Sequence, residues 1–166
     1  MAEHSQVTAA IITVDSRVVS GDKPPKGAAK ARELLSDFGI EVIREEVIDD
    51  LAAPLRAEFE RAQQAGARLI VTVGSTGVSA RNIVPETTLA VCDVELPGIA
   101  EQIRAVGLKN TPQSVLSRAV VGVTSRTSRG AVIVNCPSSS GGVADALQVV
   151  LPLLHYIIEQ LDQTQA

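Results

Sequence analysis

Short apolar runs alternate along the chain with segments of helical periodicity, and this alternation restricts the fold more than any other feature. Residues 7–14, 69–73 and 131–135 are continuous runs of mainly Val, Ile, Leu and Ala, as expected for strands buried on both faces. Segments 28–38 and 51–62 carry apolar residues on one helical face, and a glycine follows each. The pattern predicts a three-layer α/β fold, in which a mainly parallel, doubly wound sheet has helices on both faces.

The remaining elements are predicted from weaker patterns. Residues 40–48 and 120–124 are candidate strands, residues 98–106 a candidate helix, and Asp15-Ser16-Arg17 an exit loop. A C-terminal helix should be kinked or split at Pro152, which lacks a backbone donor. The 166 residues are enough for one sizeable core, so we expect a single domain over residues 1–166.

Charge and aromatic content argue against a nucleic-acid partner. The net charge is −4, the Lys and Arg residues are scattered, and Phe38, Phe59 and Tyr156 are the only aromatic residues. Phosphate-backbone binding needs clustered cations, and single-strand binding usually adds aromatic stacking. The most apolar stretch, residues 146–158, is too short to span a bilayer, so no membrane partner is expected either.

Cysteine usage and the first residues indicate the compartment. Two cysteines, Cys92 and Cys136, are too few for a disulfide framework and fit a reducing environment. The opening residues Met1 to Ser5 show no cationic region followed by an apolar one, so no signal peptide is predicted. The expected location is cytoplasmic.

Two loops at the carboxyl ends of predicted strands are candidate anion sites, because ligands bind at that edge of doubly wound sheets. The first loop begins with Gly74-Ser75-Thr76-Gly77 and continues through Ser79 and Arg81. Its glycines permit close approach of backbone amides to an anion, and Arg81 could add a charge-assisted contact. An ordinary strand-ending turn would explain the same residues.

The second loop, residues 135–142, is rich in serine and glycine and opens the C-terminal helix. Pro137, Ser138, Ser139 and Gly141 are its candidate phosphate-binding residues, because helix N-termini attract phosphate. Ordinary serine capping of the helix is the alternative. Asp50, between a strand and a helix, could likewise be a helix cap, or it could help to hold Mg²⁺.

Taken together, these motifs resemble the Mog/MoaB family of molybdenum cofactor biosynthesis. VTVGSTGVSARNIVPETTLAV (residues 71–91) is similar to the family's strand, Gly-Gly-Thr-Gly, Arg-Asp and Thr-Pro-Glu signature. The likeness continues through Glu95-Leu96-Pro97-Gly98, Leu116-Ser117-Arg118-Ala119 and VIVNCPSSSGGVADAL (residues 132–147). It covers essentially the whole chain.

The resemblance implies a ligand, a reaction and an assembly. Family members bind molybdopterin, usually as trimers or higher assemblies such as hexamers, and catalytic members transfer AMP from Mg-ATP to its terminal phosphate. It implies that the phosphate lies near Gly74, Thr76 and Gly77, facing residues 138–141. Asp50 and Asn82 take the positions of the family's two functional aspartates, and Asp50 would be the metal ligand.

The departures from the family pattern concentrate at these positions. Asn82 replaces Asp, Ser75 replaces the second Gly, and Ser138 replaces the Gly after Pro137. Asn82 can accept a hydrogen bond but carries no charge, which makes it a poorer partner for Mg²⁺ and no base. Two hypotheses follow: an adenylyltransferase-like or pterin-binding protein, or an impaired paralogue that serves as an oligomeric protein-binding or regulatory module.

Overall fold

The computed structural model describes residues 6–165; the opening residues used for the signal-peptide prediction lie outside it. Thirteen elements follow one another along this range. They are β1 (Thr8–Val14), α1 (Ser16–Val19), α2 (Lys26–Asp37), β2 (Glu41–Ile48), α3 (Ala52–Gln64), β3 (Leu69–Val73), α4 (Val84–Val91), β4 (Val94–Glu95), α5 (Pro97–Leu108), a 3₁₀ helix (Pro112–Leu116), β5 (Val121–Val123), β6 (Val132–Cys136) and α6 (Ser140–Asp162).

The strands form a single six-stranded sheet in the order β2-β1-β3-β6-β5-β4. β2, β1, β3 and β6 are parallel neighbours, whereas β5 runs antiparallel to both β6 and β4. The carboxyl ends of β1, β2, β3 and β6 therefore lie at one edge of the sheet, where α/β proteins bind ligands. The predicted mainly parallel, doubly wound sheet is confirmed.

Two apolar clusters, one on each face of the sheet, make up the core. On one face, Leu35 of α2 and Leu147 of α6 pack with alternate strand residues such as Ile11. On the other face, Leu55 and Phe59 of α3 pack with the intervening strand residues. Because each face of a buried strand meets its own helical layer, the three-layer architecture follows from the continuous apolar runs.

A buried polar network joins α4 to the sheet. The fully buried Asn135 of β6 donates through Nδ2 to the hydroxyls of Thr72 on β3 and Thr88 on α4, both at 3.0 Å. Its Oδ1 accepts a hydrogen bond from the Val120 amide at 3.0 Å. Both Nδ2 and Oδ1 of Asn135 therefore have partners, and the network fixes where α4 sits on the sheet.

Three local predictions need correction. Asp15-Ser16-Arg17 is not only an exit loop: residues from Ser16 onward form α1, with Asp15 as its N-cap. The two-residue strand β4 was not predicted, because so short a segment has no detectable period. α6 continues unbroken through Pro152, so the predicted split is wrong. Eight buried side chains hold α6 in the core, and this packing outweighs the lost hydrogen bond.

α6 has 23 residues, and by length and composition alone it could cross a membrane. It extends beyond residues 146–158 at both ends, so the whole helix is longer than the apolar stretch that is too short to span a bilayer. Its buried side chains, among them Val143, Leu147 and Leu154, belong to the apolar cluster on the sheet. A core helix of this kind passes the same length and hydropathy test, so α6 is a weak indication of a membrane span.

Candidate functional site

An open cleft of about 490 Å³ lies at the carboxyl edge of the sheet. Eight of the twelve sequence-predicted site residues line it: Asp50, Ser75, Thr76, Gly77, Ser79, Arg81, Asn82 and Ser138. The loops that follow β2, β3 and β6 contribute these residues. The structure therefore brings together residues that are up to 88 positions apart in the sequence (Asp50 and Ser138).

The two predicted loops meet at Gly74 and Ser138. A Cβ on Gly74 would lie 3.9 Å from the Ser138 Cβ and only 2.7 Å from the Val14 carbonyl oxygen. A Cβ on Gly27, at the start of α2, would lie 2.6 Å from Val73 Cγ1 and 2.7 Å from the Ser138 carbonyl oxygen. Both positions require glycine because neighbouring backbone occupies the space of a side chain.

Ser75 has a positive φ of 59°, directly after Gly74 with a φ of 98°. Its hydroxyl donates to the Arg81 carbonyl and accepts from the Ile83 amide, both at 3.2 Å. The Val84 amide also donates to the Ser75 carbonyl at 3.3 Å. The side chain that replaces the family's glycine thus joins the two ends of the first loop (residues 74–83), which offsets its conformational strain.

The backbone donors of the two loops differ in availability. The Gly74 amide donates to the Cys136 carbonyl at 2.9 Å, so it serves the sheet. Within residues 6–165, the amides of Thr76, Gly77 and Ser138 donate to no protein oxygen. An anion in the cleft could accept from these donors, as in other turns that cradle phosphate.

The other predicted residues of the second loop, Pro137, Ser139 and Gly141, do not line the cleft. Ser139 caps α6, because its hydroxyl accepts from the Gly142 amide at 3.0 Å. Pro137 packs against Gly142, where an added Cβ would lie 2.8 Å from the Pro137 Cβ. Gly141 is exposed in the first turn of α6. For Ser139, the ordinary capping alternative is therefore the one that the structure shows.

Asp50 does not cap the helix that follows it, and its side chain instead binds the first residue of α1. Its Oδ2 accepts from the Ser16 amide at 3.0 Å and from the Ser16 hydroxyl at 2.9 Å, at the start of α1. The residue at the N-cap of α3 is Leu51. Within the described range, Oδ1 of Asp50 has no protein donor, so one half-buried carboxylate oxygen remains available in the cleft.

Asn82 closes the far end of the first loop beside Gly77, where a Cβ on Gly77 would lie 3.5 Å from the Asn82 Nδ2. The Asn82 amide donates to the Ser79 carbonyl at 2.9 Å. Arg118 is a residue for which sequence reasoning gave no role. It donates to the carbonyls of Gly77 at 2.8 Å and Asn82 at 2.9 Å from behind the loop.

Asp15, Ser16 and Arg17 also line the cleft and were not predicted as site residues. Asp15 is almost buried; Arg17 donates to both of its oxygens, and Lys23 Nζ lies 2.9 Å from its Oδ2. Burial alone would raise the pKa of Asp15, but the hydrogen bonds from Arg17 and Lys23 outweigh it and lower the pKa to about 2. The position of Asp15, Ser16 and Arg17 directly after the first buried strand was the signal that could have identified them as site residues.

A second hollow of about 570 Å³ adjoins the cleft and shares Ser79 and Asn82 with it. Arg56, from the first turns of α3, and Arg118 are its cationic residues. Arg56 makes no ion pair within the described part of the chain. The two compartments thus offer room for two ligands that would meet at the first loop.

Residues 6–165 contain no group of three or more His, Cys, Asp or Glu side chains that could hold a metal by themselves. Asp50 offers the cleft one free carboxylate oxygen, and Asn82 offers an amide. Magnesium commonly takes one or two carboxylates and completes its coordination with water and substrate phosphates. The residues present therefore fit Mg²⁺ that arrives with a phosphate ligand, and they do not fit a metal site made of protein alone.

Comparisons with known proteins agree with the fold and the motifs. Residues 10–156 match the family model described as "Probable molybdopterin binding domain". The Mog protein structure from Mycobacterium ulcerans superposes with a TM-score of 0.82 at 37% identity, covering 93% of this chain and 99% of that one. A molybdopterin biosynthesis protein from Mycobacterium abscessus gives 0.85 at 32% identity, covering 93% and 96%.

A curated relative gives the same result from sequence alone. The molybdopterin adenylyltransferase of Escherichia coli K12 is 30% identical over 143 residues, which are 84% of this chain and 71% of that protein. The match to the family model spans most of the chain and includes both loops of the cleft. The chain belongs to the molybdopterin-binding (Mog/MoaB) family of molybdenum cofactor biosynthesis proteins.

Proposed function

We propose that this protein acts in molybdenum cofactor biosynthesis by binding molybdopterin in the cleft and transferring AMP to it from Mg-ATP. The observation that carries the proposal is the meeting of the two loops at Gly74 and Ser138, with Asp50 in the same cleft. Thr76, Gly77 and Ser138 line this cleft, and their amides donate to no protein oxygen within residues 6–165, which is an arrangement suited to a phosphate. Relatives that match 84–90% of this chain are named molybdopterin adenylyltransferases.

The terminal phosphate of molybdopterin would accept hydrogen bonds from the amides of Thr76, Gly77 and Ser138. Arg81 lines the same cleft and makes no ion pair within residues 6–165, so its charge is available to the ligand. Charge-assisted contacts are stronger than neutral ones, and the guanidinium group suits phosphate geometry. Arg81 would therefore supply affinity, and the amides would supply position.

Adenylyl transfer needs two phosphate-bearing substrates side by side, and the two adjoining compartments provide this. A phosphate oxygen of molybdopterin forms a bond to the α-phosphorus of ATP, and the bond from that phosphorus to the β-phosphate oxygen breaks, so that pyrophosphate leaves. A phosphate monoester loses its second proton near pH 6, so it is already a dianion at neutral pH and needs no base. The protein's task is mainly to position the reactants and to stabilise charge.

Asn82 in place of aspartate should lower the rate of adenylyl transfer. Since the nucleophile needs no base, the missing carboxylate would matter through charge. Bound Mg²⁺ would neutralise phosphate charge, and Asp50 with Asn82 would be the protein residues near it. Interactions of charged groups contribute about 1.5–3 kcal/mol, which corresponds to about a 10- to 100-fold effect. We therefore propose a working but slowed enzyme.

The direct test is to incubate the purified protein with molybdopterin and Mg-ATP and to measure adenylylated product by mass spectrometry. Asp50→Ala should lower the rate by about 100-fold or more, in the range for a removed charge-stabilising group. Asn82→Asp should raise the rate about 10-fold or more and lower the Mg²⁺ concentration needed for half-maximal activity. Asp93→Asn, an exposed carboxylate outside the cleft, is the matched control.

Calorimetry separates binding from transfer. Undetectable molybdopterin binding at high micromolar concentration would refute the proposed function altogether. Normal pterin binding without transfer, in both the wild type and Asn82→Asp, would instead favour the second candidate, a partner-binding paralogue. Asn82 in the cleft is the observation that keeps this candidate open.

We further propose that the chain forms a homo-oligomer. An apolar groove of about 670 Å³ runs between α5 and α6 beside β4, and Leu96, Ile99, Val149, Leu153 and Ile157 are among the residues that line it. Contacts between copies would remove this apolar surface from water. Sedimentation at low concentration that shows only a 17.4 kDa species would contradict this proposal.

A further inference from the structure

Arg118 contacts the first loop (residues 74–83) through both its backbone and its side chain. It lies between the 3₁₀ helix and β5, and its backbone amide donates to the Thr76 carbonyl at 2.9 Å. Its Nε donates to the Gly77 carbonyl at 2.8 Å, and its Nη2 donates to the Asn82 carbonyl at 2.9 Å. Its Nη1 pairs with Glu86 in α4. One residue therefore connects both ends of the loop and the helix that follows.

These contacts determine which way the loop's amides point. In a planar trans peptide the N–H points away from the C=O. The backbone amide of Arg118 fixes the Thr76 carbonyl and so turns the Gly77 amide away from itself. The guanidinium group fixes the carbonyls of Gly77 and Asn82, and with them the peptide planes on either side of the loop's tip. Arg118 lines the second hollow and not the cleft, so it contacts the loop without lining the space proposed for the phosphate of molybdopterin.

The backbone on either side of Arg118 is itself held in place. Arg104 of α5 donates through Nη1 to the carbonyls of Ser117 at 3.3 Å and Ala119 at 3.1 Å, on either side of Arg118. The tip of the loop at Val78 is 74% exposed, so packing does not hold it. Hydrogen bonds from Arg118 therefore restrain this part of the loop, in addition to those that Ser75 makes between the loop's ends.

We propose that Arg118 is a positioning residue that holds the amides of the first loop in the orientation that binds the substrate phosphate. The proposal rests on the proposed function for the identity of the ligand. A lysine reaches one carbonyl at a time, whereas the fork of arginine reaches both Gly77 and Asn82. Charge alone therefore does not replace it.

The test combines one measurement that needs no ligand with one that does. Hydrogen exchange of peptides covering residues 75–83 should speed up at least 10-fold in Arg118→Gln and less in Arg118→Lys. Molybdopterin affinity, measured by calorimetry, should fall about 10- to 100-fold in Arg118→Gln, with partial recovery in Arg118→Lys. KM for molybdopterin should rise more than kcat falls. Arg129→Gln removes the same charge at an exposed site outside the cleft and should match the wild type.

The outcomes separate this proposal from the proposed function. Unchanged exchange in residues 75–83 of both Arg118 variants overturns the positioning role, whatever the ligand. Faster exchange with unaltered molybdopterin affinity also overturns it, because loosening the loop would then have no effect on binding. Wild-type protein that binds no molybdopterin refutes the proposed function itself. If Arg118→Gln does not fold, Arg118→Lys decides by the same two measurements.

Discussion

Asp15 supports the floor of the cleft, and its contribution to stability can be worked out from its surroundings. The carboxylate is almost buried, Arg17 donates to both of its oxygens, and Lys23 lies 2.9 Å away. Asp15→Asn keeps the shape of the side chain but removes the charge that these cations stabilise. The variant therefore resembles the protein with Asp15 permanently protonated.

The pKa of Asp15 falls from 3.8 to about 2 on folding, which corresponds to about 2 kcal/mol of stability for the ionised form. Because the pKa is lowered in the folded state, this stabilisation is present above the unfolded pKa and disappears as the pH falls through the folded pKa. The difference between the wild type and Asp15→Asn should thus be about 2 kcal/mol at pH 7, about 1 kcal/mol at pH 3, and well below 1 kcal/mol at pH 2.

Urea unfolding followed by far-ultraviolet circular dichroism measures this difference, and the protein has no tryptophan to serve as a fluorescence probe. At pH 7 the melting temperature of Asp15→Asn should fall by roughly 4–8 °C. Asp93→Asn, which removes an exposed carboxylate, should change little at either pH. A loss of stability that is the same at pH 3 and pH 7, or below 0.5 kcal/mol at pH 7, would refute the ionic account of Asp15.

Three further substitutions test other parts of the structure by chemical denaturation. Ser75→Ala should lower the free energy of unfolding by about 1–2 kcal/mol, because two hydrogen bonds are lost while the positive φ remains. Ser75→Gly should lower it by less, and equal losses would contradict the role of strain. Asn135→Leu should cost about 3 kcal/mol or more by leaving buried groups unpaired, and a neutral result would contradict the network. Gly27→Ala should lower the free energy of unfolding by about 1–3 kcal/mol and weaken molybdopterin binding, since the added Cβ would collide with the Ser138 carbonyl. Unaltered affinity would contradict the link between Gly27 and the cleft.

The sheet and its helical layers were predictable because burial imposes a period on the sequence. Continuous apolar runs located β1, β3 and β6, and glycines located the ends of α2 and α3. β4 and α1 were missed because two and four residues carry too little pattern to detect. The split predicted at Pro152 was wrong because the local rule about proline ignores the burial of the surrounding helix.

The candidate site was only partly predictable. Motif residues and strand ends gave Asp50, Asn82 and most of the first loop. Arg118 acts through contacts with residues about 40 positions away, and no local spacing reports such contacts. Asp15 bonds to near neighbours in the sequence, but its segment was interpreted as an exit loop. Ser75 was identified only as a replacement for the family's glycine, whereas its hydroxyl joins the loop's ends. Sequence identified which residues gather at the site, and geometry was needed to assign what each one contacts.

The two edges of the sheet limit how copies of this chain can associate. β2, at one edge, carries Glu41, Arg44, Glu45 and Glu46, and β4, at the other, is two residues long. A charged strand and a very short strand are both poor templates for adding another strand. Assembly by continuous β-sheet extension is therefore disfavoured, which protects the protein from fibrillar self-association and leaves helical surfaces as the way for subunits to meet.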